Sequence, residues 1–219
     1  MNCTTDTYAT LYARWLEKPG NLLDTAKYDP KRHLRLLDLC GGSGAVALEA
    51  LRRGAEKVWL LDLNPRVSDR RIVTLRGRAE ELQGGKWDPL GIDGLPCDMR
   101  GEPPFDYVVC RQALAYLDLE RTAQALFHAM APDAPFVCNT FVKPKWSLKS
   151  YLFNERRYVE ASGFFGRTVF HLQAMKGDWD VTRFRWFSTH DVVKAFMPYF
   201  ELAQFVATDV TLKFVFRRR

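Results

Sequence analysis

A short apolar run, Leu36-Leu37-Asp38-Leu39, enters a glycine-rich turn, Cys40-Gly41-Gly42-Ser43-Gly44, and then a helix-forming stretch from Ala45 to Arg53. The next apolar run, Val58-Trp59-Leu60-Leu61, ends in a second acid, Asp62. This order of strand, turn, helix, strand and acid constrains the chain more than any other feature. Glycines let the backbone approach a ligand, and the N-terminus of the helix offers unpaired N–H groups. Asp62 lies where a carboxylate accepts both hydroxyls of a ribose. Together these features describe a nucleoside cradle.

The rest of the chain fits an α/β fold. Strands are expected at 34–39, 57–62, 71–76, 105–110, 135–142, 200–206 and 211–216, with helices at 45–53, about 64–70, 119–130 and 188–197 between them. Alternating strands and helices imply a doubly wound, mostly parallel sheet, here of seven strands. The last two strands, separated by only a few residues, form an antiparallel pair. A helix is expected at 6–17, with Tyr8, Leu11, Tyr12 and Trp15 on one stripe and Pro19-Gly20 as its end, and a shorter one at 21–26. Residues 84–104, rich in glycine, proline and aspartate, read as a loop, with one helical turn near Glu80. Residues 146–187 are rich in aromatics and contain two alternating runs, 168–173 and 181–187, expected to pair as a hairpin.

At 219 residues the chain suits one domain, and 47% hydrophobic residues suffice for a packed core. No apolar run reaches the ~18 residues that span a bilayer. Met1 to Asp6 shows neither a basic start nor an apolar core, so a cytoplasmic protein is expected. The five cysteines form no C-x-x-C pair, and the four histidines are scattered, so no metal site is expected. The net charge of +6 raises the question of an anionic partner.

The unit from Leu36 to Asp62 resembles the cofactor site of class I S-adenosylmethionine-dependent methyltransferases, and the likeness extends over most of the chain. The family turn reads acid-x-Gly-x-Gly-x-Gly, and Asp38, Gly42 and Gly44 match it while Cys40 replaces its first glycine. Cys40 is therefore expected in an extended conformation. The closing antiparallel strand pair is likewise a habit of that family. The resemblance implies S-adenosyl-L-methionine as cofactor and S-adenosyl-L-homocysteine as product. It implies that Asp38, Cys40, Gly41, Gly42 and Gly44 hold the methionine part, and that Asp62, with Leu63 beside it, holds the ribose. Ala79 or Glu80 takes the adenine end, where Arg78 stands in place of the usual acid. Arg111 and Gln112 follow the fourth expected strand and are candidates for the methionine part. Tyr8 and Tyr12 belong to a helix that folds over the cofactor as a lid in relatives.

The organisation implied is a single domain with an N-terminal helical lid (1–30), a cofactor-binding core (34–142), an aromatic substrate cap (146–187) and a closing helix and strand pair (188–219). His171 and Tyr116 are the candidates nearest the reacting atom, as a general base or a border of the methyl path. An aromatic cap suits a small-molecule acceptor, aromatic or anionic; nucleic acid is disfavoured because Cys110-Arg111-Gln112-Ala113 replaces the Asn/Asp-Pro-Pro-aromatic motif of many base-amine methyltransferases. Several readings stay open: an RNA or protein methyltransferase, an NAD-dependent oxidoreductase suggested by the G-x-G-x-x-A pattern of Gly42 to Ala47, and a module that binds the cofactor without turnover. Nothing in the residues sets the oligomeric state.

Overall fold

The computed structural model describes residues 18–82, 88–90, 104–141, 187–208 and 211–219, with the backbone alone at 88–90 and 141. The expected helix at 6–17 and the expected aromatic hairpin lie outside these residues.

Strands β1 (Leu36–Leu39), β2 (Val58–Asp62), β3 (Ile72–Arg76), β4 (Asp88–Leu90), β5 (Tyr107–Arg111), β6 (Pro135–Phe141), β7 (Phe200–Ala207) and β8 (Thr211–Arg218) form one sheet in the order β4-β3-β2-β1-β5-β6-β8-β7. The seven expected strands are present, and the short β4 adds an antiparallel edge to β3 inside the segment expected to be loop. β3, β2, β1, β5 and β6 run parallel, while β8 returns antiparallel between β6 and β7. The chain order reverses at the β1–β5 boundary, the switch point above which open α/β sheets bind their ligands.

All four residues of β1 are buried, because helices cover both of its faces. On one face, Leu36, Leu60, Val109, Val137 and Val215 pack with Leu22 and Leu23 of α1 (Pro19–Thr25) and Val46 and Ala50 of α2 (Ala45–Arg52). On the other, Leu37, Leu61, Cys110 and Phe136 pack with Leu126 of α3 (Leu119–Ala129) and Val192 and Phe196 of α4 (Thr189–Phe196). Burial of such side chains contributes roughly 1.5–3 kcal/mol each. Among the described residues no helix is long and apolar enough to cross a membrane.

Local chemistry sets the element ends. Ser188 and Asp191 make a reciprocal capping box at α4, the role their spacing suggests. Asp118 caps α3 by accepting from the Arg121 N–H at 3.2 Å. Gly54, at φ 101°, lets the chain leave α2, and the Ala55 N–H closes back on the Ala50 carbonyl. Pro19-Gly20 opens α1, since proline at the first helical position lacks only an N–H that would go unbonded there; the helix it was expected to end lies outside the described residues. One expectation fails. Residues 64–70 are not helical. The Arg71 N–H donates to Asp69 Oδ1 and not to the Val67 carbonyl that a helix would require, while the Gly42 carbonyl holds the Arg66 N–H beside the turn.

Candidate active site

The turn after β1 is held by its neighbour strand. The N–H groups of Cys40 and Gly41 both donate to the Leu61 carbonyl of β2, at 2.6 and 3.3 Å. To reach it, Cys40 adopts φ 57°, in the left-handed region and not the extended conformation expected for it. A side chain there costs roughly 1–2 kcal/mol, which accounts for the glycine that relatives carry. Gly41 is required for another reason. A Cβ on it would stand 2.6 Å from the Asp38 carboxyl carbon, inside contact distance. Gly42, at φ 53°, would aim a Cβ towards Asp62, with Oδ2 at 4.0 Å and no nearer atom in the way. The space beside Gly42 and above Asp62 is thus an open cradle bounded by backbone.

Asp62, at the end of β2, accepts from the Gly42 N–H through Oδ2 at 3.0 Å and from the Asn64 N–H through Oδ1 at 2.8 Å. Each carboxylate oxygen carries two acceptor sites, so the same bonds that fix the carboxylate leave both oxygens able to accept a ribose hydroxyl. Leu63 follows it, 61% exposed, an apolar side chain left uncovered beside the cradle. The Gly77 N–H donates to the Asp62 carbonyl and draws the 77–81 turn alongside.

Asp38 is fully buried. Its Oδ2 accepts from the Ala47 N–H at 3.0 Å, in the first turn of α2, while Oδ1 is buried without a hydrogen-bond partner. Burial pushes its carboxyl up to about 7, against the opposing pull of the Ala47 N–H and the nearby Arg111 guanidinium. Arg111, at the end of β5, has its own affinity for the proton lowered by burial and restored in part by Asp38. An unpartnered carboxylate oxygen beside an open glycine cradle fits a ligand carrying an ammonium or sulfonium group. Gln112 follows, buried and at φ 57°, with its N–H donating to Asn139 Oδ1 at 2.9 Å. The neighbouring Cys110 thiol, together with burial, raises the Cys40 thiol well above its usual range.

Ala79 is buried in a 3₁₀ turn, Ala79–Glu81. Glu80 Oε1 accepts from the Asp118 N–H at 3.1 Å. Glu80, Tyr116, Arg78, Asp118 and Arg121 line a cavity of about 280 Å³. Tyr116 therefore stands across from the 78–81 turn. Tyr8, Tyr12 and His171 lie outside the described residues. Asn139 is a polar residue that the sequence reading did not single out. Its signal is an amide placed among Phe136, Val137, Cys138 and Phe141 in a buried strand. Gly44 sits apart from the open space, since a Cβ there would meet Leu60 and Val67 at 3.1 Å.

Known proteins share this architecture. A family profile described as a methyltransferase domain matches residues 8–192. A ubiquinone/menaquinone biosynthesis C-methyltransferase, UbiE, from Acidiphilium cryptum (strain JF-5) is 28% identical over 139 residues, 61% of this chain and 53% of its own. The chain thus spans about half the length of that relative. Among solved structures, an S-adenosylmethionine dependent methyltransferase from Mesorhizobium loti is similar with a TM-score of 0.54 at 19% identity, over 90% of this chain and all of the other. The N-methyltransferase NodS from Bradyrhizobium japonicum WM9 gives 0.52 at 12% identity, over 91% and 94%. At these identities the two structures speak for the fold, and the family rests on the profile, which covers the glycine turn, Asp62 and both following loops. The acid pair, the open glycine cradle between them and the switch-point setting thus belong to a member of the methyltransferase domain family.

Proposed function

We propose that the protein transfers a methyl group from S-adenosylmethionine to a small-molecule acceptor by in-line displacement. The observation that carries this reading is the Asp62 carboxylate, locked by the Gly42 and Asn64 N–H groups beside a turn that no side chain of the described residues fills. When bound, the cofactor supplies an activated methyl group on a sulfonium. The protein then has to hold, orient and keep out water. Asp62 holds the ribose, with Leu63 flanking it. The turn from Asp38 to Gly44 holds the methionine part with Arg111 and Gln112. Ala79 and Glu80 border the adenine, and Tyr8 and Tyr12 close over the ligand. His171 is the candidate base where the acceptor must lose a proton, and Tyr116 is a wall of the path. The relative named for C-methylation in quinone biosynthesis supports a small-molecule acceptor, as does the aromatic content of residues 146–187.

Calorimetry with S-adenosylhomocysteine tests the reading. Charge-assisted hydrogen bonds contribute about 1.5–3 kcal/mol, so Asp62→Ala should weaken binding roughly 10- to 100-fold. Unchanged affinity in the variant, or tight NAD binding by the native protein, would remove the reading.

A further inference from the structure

One face of the sheet changes character abruptly at the C-terminal ends of the parallel strands. Val109, Val137 and Val215 are register partners across β5, β6 and β8, all buried in the core beneath α1 and α2. One pleat further along the same face the partners are Arg111, Asn139 and Lys213. Successive residues of a strand point to opposite faces and alternate ones to the same face. The valine row is therefore succeeded by a row of two cations flanking an amide. Asn139 is fully buried, and its Oδ1 is taken by the Gln112 N–H, whereas Nδ2 is buried with no hydrogen-bond partner among the described residues. A buried donor without an acceptor calls for an explanation in the chemistry of the site. Here a planar anion between the amide and the two cations would supply it.

Position separates this row from the cofactor's own end. Neighbouring strands lie about 4.8 Å apart. Asp62 on β2 is two strands from Arg111, three from Asn139 and four from Lys213. The covalent chain from ribose to methionine carboxylate spans roughly 10 Å, enough to reach the β5 position and too short for β8. We propose that Asn139 and Lys213, with Arg111 at the inner end, bind a carboxylate group of the methyl acceptor, so that the enzyme acts on anionic small molecules. The proposal rests on the methyltransferase reading above, since it assigns the space beyond the cofactor to the acceptor.

The test uses the full chain loaded with S-adenosylhomocysteine and titrated with benzoate and with benzamide, its neutral analogue. Benzoate should bind at least ~10-fold more tightly than benzamide, and Lys213→Met should erase most of that preference. Asn139→Asp keeps an acceptor for the Gln112 N–H but sets a negative charge against the anion, so it should abolish benzoate binding. Lys213→Arg should keep the preference that Lys213→Met loses. Thermal unfolding confirms that each variant is folded. S-adenosylhomocysteine affinity should be unchanged in Lys213→Met. No benzoate binding, equal affinity for the two probes, or an equal loss of S-adenosylhomocysteine affinity in Lys213→Met would overturn the proposal, the last by giving the row to the cofactor. Failure of the native protein to bind S-adenosylhomocysteine would instead overturn the methyltransferase reading itself.

Discussion

At the scale of single residues, the three glycines of the turn, alike in the sequence, do different work. Gly41 is small because of the Asp38 carboxyl beneath it, and Gly42 because the ligand side must stay open. Gly44 is small because Leu60 and Val67 pack against it at φ 72°. Valine at Gly44 should therefore damage the fold, by about 2 kcal/mol or more from overpacking and a left-handed β-branched residue. Alanine at Gly42 meets no protein atom, so it costs only the milder left-handed strain while intruding on the ligand. Urea denaturation and S-adenosylhomocysteine titration of the two variants should give opposite patterns: lost stability for Gly44→Val, lost affinity with modest loss of stability for Gly42→Ala. Equal affinity losses at equal stability would put both glycines on the ligand side. The identities of these residues and of Asp62 were readable in the chain. The conformation of Cys40 was not, because it is set by the Leu61 carbonyl on the next strand, and no local pattern announces that partner.

At the scale of elements, the long apolar segments were legible and the short polar ones were not. β1, β2, β5 and β6 are mostly apolar runs whose burial on both faces forces them into the sheet centre. Residues 64–70 carry a proline and good helix formers, yet Asp69 takes the Arg71 N–H that a helix would direct to Val67. β4 lies in a stretch of turn formers and exists because Arg76 and Thr74 offer it an edge. The cap of α4 is local, so its spacing is readable. Ser188 Oγ accepts from the Asp191 N–H at 3.2 Å, and Asp191 Oδ2 accepts from the Ser188 N–H at 2.8 Å. Ser188→Ala should remove half of this box and destabilise the protein by ~1 kcal/mol. Urea unfolding should show a lower midpoint with an unchanged slope. Because α4 buries Val192 and Phe196 against Phe136 and Phe216, the loss should appear in global unfolding and not only as fraying of one helix end.

For the whole molecule, the polarity of the sheet divides its labours. At the strand N-termini, Asp106 accepts from the N–H groups of Leu34 and Arg35, and Arg35 lies over the Trp59 ring at 4.2 Å, contacts that only tie the fold together. At the C-terminal ends, Asp38, Asp62, Arg111 and Asn139 gather on one face beside the glycine turn, where buried polarity is retained although it opposes stability. Asp38 shows the conflict most directly. Its pKa rises from 3.8 to about 7 on folding, chiefly through burial. The folded protein therefore holds a proton there that the unfolded chain has lost, and stability from this group is complete below about pH 4 and disappears as pH climbs through 7. A shift of this size corresponds to at most about 4 kcal/mol. Asparagine copies the protonated acid in shape and can still accept from the Ala47 N–H. Asp38→Asn should thus match the native protein near pH 3.5, below the unfolded pKa, and exceed it by ~2 kcal/mol or more at pH 8, as read from urea denaturation at the two pH values. It should also bind S-adenosylmethionine more weakly at pH 8, because the ionised carboxylate attracts a cationic ligand. Equal stability differences at both pH values would show that Arg111 fully compensates the buried charge, and gained affinity would take Asp38 out of the ligand site.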